Sequence, residues 1–420
     1  MILRAKWVVD RTMKVHKNGQ VDTELGTRNS EQAVDLGDVV LMPGLVNAHG
    51  HLDYTEMRGL IPPPKNFTSW IESITQLKRS WTEEDYVRSI ERGMAESLAF
   101  GTTTMANWVC SQKLAGKVAV CPIRIWWFWE QIAFRSKTLP AFARKKVKQK
   151  KEAITFGDGA SLETWEGWES EASARYRLWK SGLAPHAPYT CRSEVIQEAT
   201  RWSALHRRPW SIHIAESHEE FEMFRHAHGS LYDMFKRLGR DMSDCGRDTP
   251  LGNLRFEISN LRSPVLLVHA NQLDLSDFEL LEESISRAPS LISMIHCPRS
   301  HHYFGHPKFP LTRLRDAKVN LCLGTDSLAS NKDLSMFREM NLVAQNWPEL
   351  DPRVIVLMAT INGVRALGME KEWLNWQDWI AIPAQLSRSV DVWSAITHFT
   401  GDPCFVMINE QVLRHENTSY

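Results

Sequence analysis

Eight short apolar runs, separated by stretches long enough for a helix, constrain this 420-residue chain more than any other feature. They lie at 45–48, 102–106, 123–128, 183–184, 210–214, 265–268, 291–295 and 319–323. Most lead into a segment with helical spacing. The plainest is 82–100, opened by a Thr82-x-x-Asp85 capping box. Strand-to-helix alternation repeated eight times predicts an α/β fold, a (β/α)8 TIM barrel with parallel strands. Such a barrel gathers the C-terminal ends of its strands around one axis, so chemistry is sought in the residues just after each run.

The two ends of the chain read differently. Residues 1–42 are short strands with turns expected at Asn18-Gly19 and near Gly37-Asp38, and 404–408 and 411–413 are again strand-like. Paired, they would make a small β-sandwich module from 1–42 plus 371–420, with 43–370 as the barrel. A second long helical segment is expected over 217–238, with Ser217 and Glu220 as its capping box. The basic run 144–151 reads as a solvated helix face.

Formal net charge is zero, which gives no electrostatic attraction to nucleic acid or to an anionic membrane. No apolar stretch reaches membrane-spanning length, and the N-terminus has no signal-peptide core. Seven scattered cysteines form no Cys-x-x-Cys pair, which fits reduced thiols in a cytoplasmic setting. The 17 tryptophans, including the run Trp126-Trp127-Phe128-Trp129, suit packing better than a pocket.

The first barrel run ends in His49-Gly50-His51. On an extended strand, residues i and i+2 point to the same side, so both imidazoles can reach one divalent metal. With 16 histidines, roughly 0.6 such pairs arise by chance, so spacing alone decides little. His226-Ala227-His228 is the internal control. It lies in a stretch with helical apolar spacing, where residues two apart do not face each other, and it reads as solvated.

The later strand ends supply partners. The fourth runs into Ala184-Pro-His186-Ala-Pro-Tyr-Thr190, and the fifth ends His213-Ile-Ala-Glu216. The sixth gives His269-Ala-Asn271, the seventh His296-Cys-Pro-Arg299-Ser-His301, and the eighth Gly324-Thr-Asp326. His49, His51, His213 and Asp326 would converge at the barrel mouth as nitrogen and oxygen ligands of a single divalent ion. Zn²⁺ suits them best, and Fe²⁺ fits the same donor types. A metal there brings the pKa of its water toward about 7.

This constellation resembles the amidohydrolase superfamily, in the branch of S-adenosylhomocysteine-type deaminases, guanine deaminases and triazine hydrolases. Five motifs occur in the family's order: Pro-Gly-x-x-Asn-x-His-x-His, Gly-Thr-Thr-Thr, His-x-Pro-Tyr-Thr, His-x-x-Glu and Gly-Thr-Asp. The resemblance spans roughly 40–370. It implies that His49, His51, His213 and Asp326 hold the metal, and that Glu216 protonates a substrate ring nitrogen. It also implies that His269 attends the hydrolytic water and that His186 contacts substrate. The implied reaction is hydrolytic deamination of an aminated purine- or pterin-like heterocycle or nucleoside, a small-molecule substrate. Loss of chloride or alkylamine from a triazine, or amide cleavage, uses the same site, and a catalytically silent ligand-binding barrel is the rival from another class. A homo-oligomer is compatible with the sequence.

Binuclear relatives carry a lysine at the end of the fourth strand. None stands at the end of 182–186, which favours one metal. The Pro-Cys-x-x-Cys motif of the cytidine-deaminase fold is missing. Arg299 and His301 are candidates to meet a polar or anionic part of the substrate. The third strand of this branch often supplies a substrate arginine, and Arg124 and Arg135 both stand near enough. Toward the C-terminus, Trp373-Leu-Asn-Trp-Gln-Asp-Trp379 takes the place of the Gly-x-x-x-x-Gly-x-x-Ala-Asp turn expected from relatives.

Overall fold

The structure is a computed structural model that describes residues 1–23, 33–119, 121–134, 179–384 and 391–415. The basic run at 144–151 and Arg135 lie outside the described residues.

All eight apolar runs are strands of one parallel sheet. β5 (Leu45–His51), β6 (Thr102–Val109), β7 (Arg124–Gln131), β8 (Trp179–Pro185), β9 (Trp210–Ile214), β10 (Val265–His269), β11 (Ile292–His296) and β12 (Asn320–Leu323) pair in sequence order. Only Gly324 and Thr325 separate β12 from β13 (Asp326–Ser327), which pairs parallel with β5. β12 and β13 are thus two parts of the eighth strand, and they bring the curled sheet back to its first strand. Closure sets Asp326 opposite Gly50 and Ser327 opposite His51.

Strands buried on both faces read as continuous apolar runs, and β6, β9, β10, β11 and β12 are buried throughout. The Trp126–Trp129 run packs inside β7 rather than at a pocket. Trp127 is fully buried, and the Trp126 indole donates to Met369 Sδ. Among the described residues helices lie between most successive strands, and Glu83–Ala99 starts on the expected Thr82–Asp85 box. The segment expected as one helix over 217–238 is two, His218–His226 and Ser230–Arg237. Ala227 is left-handed (φ 54°) and Gly229 has φ 99°, so the chain turns between them.

The terminal segments form a second sheet. β1 (Ile2–Val9), β2 (Val15–Asp22), β3 (Ala33–Asp35), β4 (Val39–Pro43), β14 (Trp379–Pro383), β15 (Phe405–Ile408) and β16 (Gln411–His415) build it in the order β16-β15-β14-β4-β1-β2, with β3 also on β1. The Asn18-Gly19 turn is not formed. Both residues lie inside β2, with Gly19 opposite Ala5, and the hairpin turns at 10–14 instead. There the Asp10 carboxylate accepts from the Thr12 and Lys14 amides, a local closure that outcompetes the Asn-Gly signal. The chain passes from this sheet to the barrel through Gly44 alone, where a Cβ would stand 2.2 Å from the Thr103 side chain.

Candidate metal centre and active site

Extended geometry in β5 delivers His49 and His51 to the same side, as their spacing requires. His49 Nε2 lies 3.2 Å from His213 Nε2 and 3.6 Å from Asp326 Oδ1, and His51 Nε2 lies 3.9 Å from the same oxygen. Two overlapping groups are compact enough to hold an ion: His49, His51 and His213, and His49, His269 and Asp326. Sharing His49, they describe one centre.

The donor set fits a divalent cation. Two ligand atoms about 2.1 Å from a common tetrahedral zinc are about 3.4 Å apart, close to the separations here. Burial, then the neighbouring His49, pushes the His51 imidazole well below its ordinary pKa. Burial, then His186 and His49, does the same to His213. Both are therefore neutral at pH 7, the form that ligates. Burial alone would raise the Asp326 carboxyl. The His49 contact and the fields of His269 and His49 outweigh it and hold the group well below the usual carboxylate range. Ser300 Oγ donates to Asp326 Oδ2 at 2.6 Å and Ser330 Oγ at 3.2 Å, which leaves Oδ1 for the histidine side.

Glu216 and His269 sit beside this cluster, His269 Nε2 3.5 Å from Glu216 Oε1. Burial, then the charge of Asp326, raises the Glu216 pKa well above that of a free carboxyl. Burial lowers His269 to about 3. The backbone that aims these groups is strained. Ala215 (φ 49°), His269 (φ 74°), Ala270 (φ 50°) and Asp326 (φ 57°) all occupy the left-handed region without being glycine. Asn271 helps hold it: its amide N–H₂ donates to the Glu216 carbonyl at 2.9 Å, and its oxygen faces His301 Nδ1 at 3.0 Å. Glu220 also acts here. Ser217 caps its helix by accepting from the Glu220 amide, but the Glu220 carboxylate accepts from the Glu216 amide at 2.8 Å, not from Ser217 as a capping box would have it.

His51, His186, His213, Glu216, His269 and Asp326 line one cavity of about 660 Å³. Its outer wall is aromatic and apolar, with Phe67, Trp70, Tyr189 and Phe235. A pocket of this size and lining suits a small aromatic molecule.

Residues 40–373 match the amidohydrolase family. The chain belongs to that family. It is 29% identical over 368 residues to the 5-methylthioadenosine/S-adenosylhomocysteine deaminase of Teredinibacter turnerae, an overlap of 86% of this chain and 74% of that one. Helicobacter pylori aminofutalosine deaminase, solved with methylthio-coformycin, shares the fold at TM-score 0.77 and 18% identity, over 98% of this chain and 99% of that one. So does an atrazine chlorohydrolase from Arthrobacter aurescens complexed with zinc, at TM-score 0.71 and 18% identity, over 99% and 95%. At those identities the structural likeness speaks for fold alone.

Not every expected residue reaches the cavity of this amidohydrolase. Arg299 does not line it: β11 ends in a short helix, Pro298–Phe304, and the guanidinium turns to Asp333, 2.7 Å and 3.0 Å from its two oxygens. His301, on the same helix, is also off the cavity wall, at Asn271. Arg124 opens β7 at the opposite end of the barrel. It pairs there with the fully buried Asp378, whose segment replaces the expected C-terminal turn, and stacks on Trp376. Lys180 likewise opens β8 and meets Glu372, far from a bridging position. His186 does reach the cavity, with Nδ1 2.8 Å from Thr190 Oγ1 and Nε2 3.8 Å from Glu130. Among the cavity residues that no sequence motif picked out are Tyr54, whose ring stacks on His51 (centroids 5.4 Å, 11°), Lys78 and Glu130. Glu130 was findable as the first charged residue after the apolar run of β7.

Proposed function

We propose that this chain is a hydrolytic deaminase of an aminated purine- or pterin-like heterocycle or its nucleoside. The proposal places one divalent ion, zinc, on His49, His51, His213 and Asp326. A metal held there supplies a water acidic enough to attack at neutral pH. The observation that carries the reading is the placement of Glu216 and His269, both buried and 3.5 Å apart, on the cavity wall beside the ligand cluster.

Those two groups divide the proton work. Glu216 gives its proton to the ring nitrogen next to the attacked carbon, so negative charge does not build up on the ring. His269 takes a proton from the attacking water. Asp326, ionised and steadied by Ser300, takes the proton of the hydroxyl added to the ring carbon and passes it to the departing amine, which leaves as ammonia, and His269 returns its proton to Glu216. His186 borders the bound ring. Residues 43–370 carry this chemistry, and 1–42 with 371–420 form the accompanying β module. The seven cysteines form no disulfide, and no described helix is long and apolar enough to cross a membrane. We place the work in a reducing, cytoplasmic setting on a small molecule.

The test is a panel of aminated and chlorinated purines, pterins and triazines given to zinc-loaded protein, with ammonia and chloride measured separately. Ammonia from an aminated member is the expected result. Chloride without ammonia would move the reading to a halide-displacing hydrolase, and release of neither would end it.

A further inference from the structure

The polar network that draws Arg299 away from the cavity reaches the metal cluster from behind. At its centre is Glu339, on the helix Met336–Asn346, with a side chain that has no exposed surface. A carboxyl taken out of water is unfavourable unless donors meet its oxygens. Here each oxygen has one. The Arg299 amide donates to Oε2 at 2.9 Å, and Asn331 Nδ2 donates to Oε1 at 2.8 Å. The Arg299 guanidinium stands 3.9 Å from Oε1 and is held in turn by Asp333.

Both donors lead to Asp326. Asn331 Nδ2 also donates to the Thr325 carbonyl at 2.8 Å. A carbonyl only accepts, so that bond fixes which way the Asn331 amide faces. The Thr325 carbonyl belongs to the peptide unit that enters Asp326. From the β5 side the same residue is held by Asn47, which accepts from the Thr325 amide at 3.2 Å and donates to Thr325 Oγ1 at 2.7 Å. Asp326 keeps its left-handed φ of 57° between these two holds, and such a conformation persists where its surroundings over-determine it. The second donor, Arg299, directly precedes Ser300, whose Oγ donates to Asp326 Oδ2 at 2.6 Å. Fixing the Arg299 amide fixes the start of the helix Pro298–Phe304, and with it the Ser300 hydroxyl. One side chain thus holds the helix of the donor and the backbone of the acceptor in the bond that leaves Oδ1 for the histidines.

We infer that Glu339 is a positioning residue of the metal centre, setting the direction of the Asp326 carboxylate through Asn331 and Ser300. It does not line the cavity. Arg299, expected at the substrate, serves the site through its backbone amide instead. The inference rests on the proposed placement of the ion on Asp326.

Zinc binding to the metal-free protein, measured by equilibrium competition against a chelator, tests it, with the melting temperature of each metal-free form measured alongside. In Glu339→Gln one carboxyl oxygen becomes an N–H₂ that faces an N–H donor, so one of the two bonds is lost whichever way the amide turns. Asn331→Ala keeps Glu339 and removes its link to Thr325. Each variant should bind zinc about tenfold more weakly than the parent, the loss expected when the support of a ligand is removed. Val343→Ala, one turn along the same helix and fully buried, removes packing but no member of the network. It should lower the melting temperature and leave the zinc Kd within about twofold of the parent. Zinc Kd values within about threefold of the parent in both Glu339→Gln and Asn331→Ala overturn the inference and leave the metal centre standing. Weakening of zinc by Val343→Ala as large as that by Glu339→Gln also overturns it, since a loosened helix would then explain both. A parent that binds no zinc overturns the metal placement itself, and the inference with it.

Discussion

His49-Gly-His51 and His226-Ala-His228 have the same spacing and opposite surroundings. The first pair ends a buried strand, with rings 4.9 Å apart at 86° and Nε2 atoms turned toward one Asp326 oxygen. The second straddles a helix end. His226 is the last helical residue, Ala227 reverses the backbone, and the two exposed rings stack 5.8 Å apart at 18°. His228 meets Glu222 at 2.7 Å in solvent. Burial makes the difference. The first pair is out of water, and His213 and a carboxylate close its remaining sides. A pair in water keeps its hydration and has only one carboxylate to offer. Spacing nominates a ligand pair, and the strand end that carries it decides.

The comparison breaks or sharpens under substitution. His213→Ala should reduce turnover by roughly a thousandfold or more, because it removes a metal donor, whereas His226→Ala with His228→Ala should stay within about twofold of the parent. Steady-state kinetics on whichever panel member releases ammonia checks both. Glu216→Gln should keep the metal and lower kcat by about 10²- to 10⁴-fold, the usual worth of a general acid. Full activity in that variant would remove Glu216 from the mechanism. Its raised pKa also sets the sign of a pH effect: the protonated form works, so kcat should fall as pH rises through that pKa, and the residual rate of Glu216→Gln should lack this limb. Ser300→Ala should cost about tenfold in metal affinity or kcat, as expected when a ligand loses its orienting bond. At the small end, the double change at 226 and 228 should shift unfolding free energy by no more than about 0.5 kcal/mol, the range for surface positions.

The barrel was legible because parallel strands covered on both faces favour continuous apolar runs, and each of the eight runs marks one strand of the sheet. The cluster was legible for a related reason: a barrel brings its strand ends together, so His49, His51, His213, Glu216, His269 and Asp326 could be read in chain order. The segment beyond a strand end is another matter. Arg299 and His301 come straight after β11, but a helix starting at Pro298 rotates them to Asp333 and Asn271, and nothing in the local sequence fixes that rotation. Lys78 was hidden for the converse reason. It ends an amphipathic helix where a lysine ordinarily reads as a solvated C-terminal charge, and only the tertiary approach to Tyr54 turns it inward. The Asn18-Gly19 turn failed because Asp10 closes the hairpin earlier.

The most direct test of a single metal centre at the first pair is metal analysis of protein purified without chelator, run for the parent, His213→Ala and the 226/228 double variant. The account predicts one divalent ion per chain in the parent and the double variant, and close to none in His213→Ala. An unchanged metal content in His213→Ala, or loss of the ion in the double variant, would contradict it.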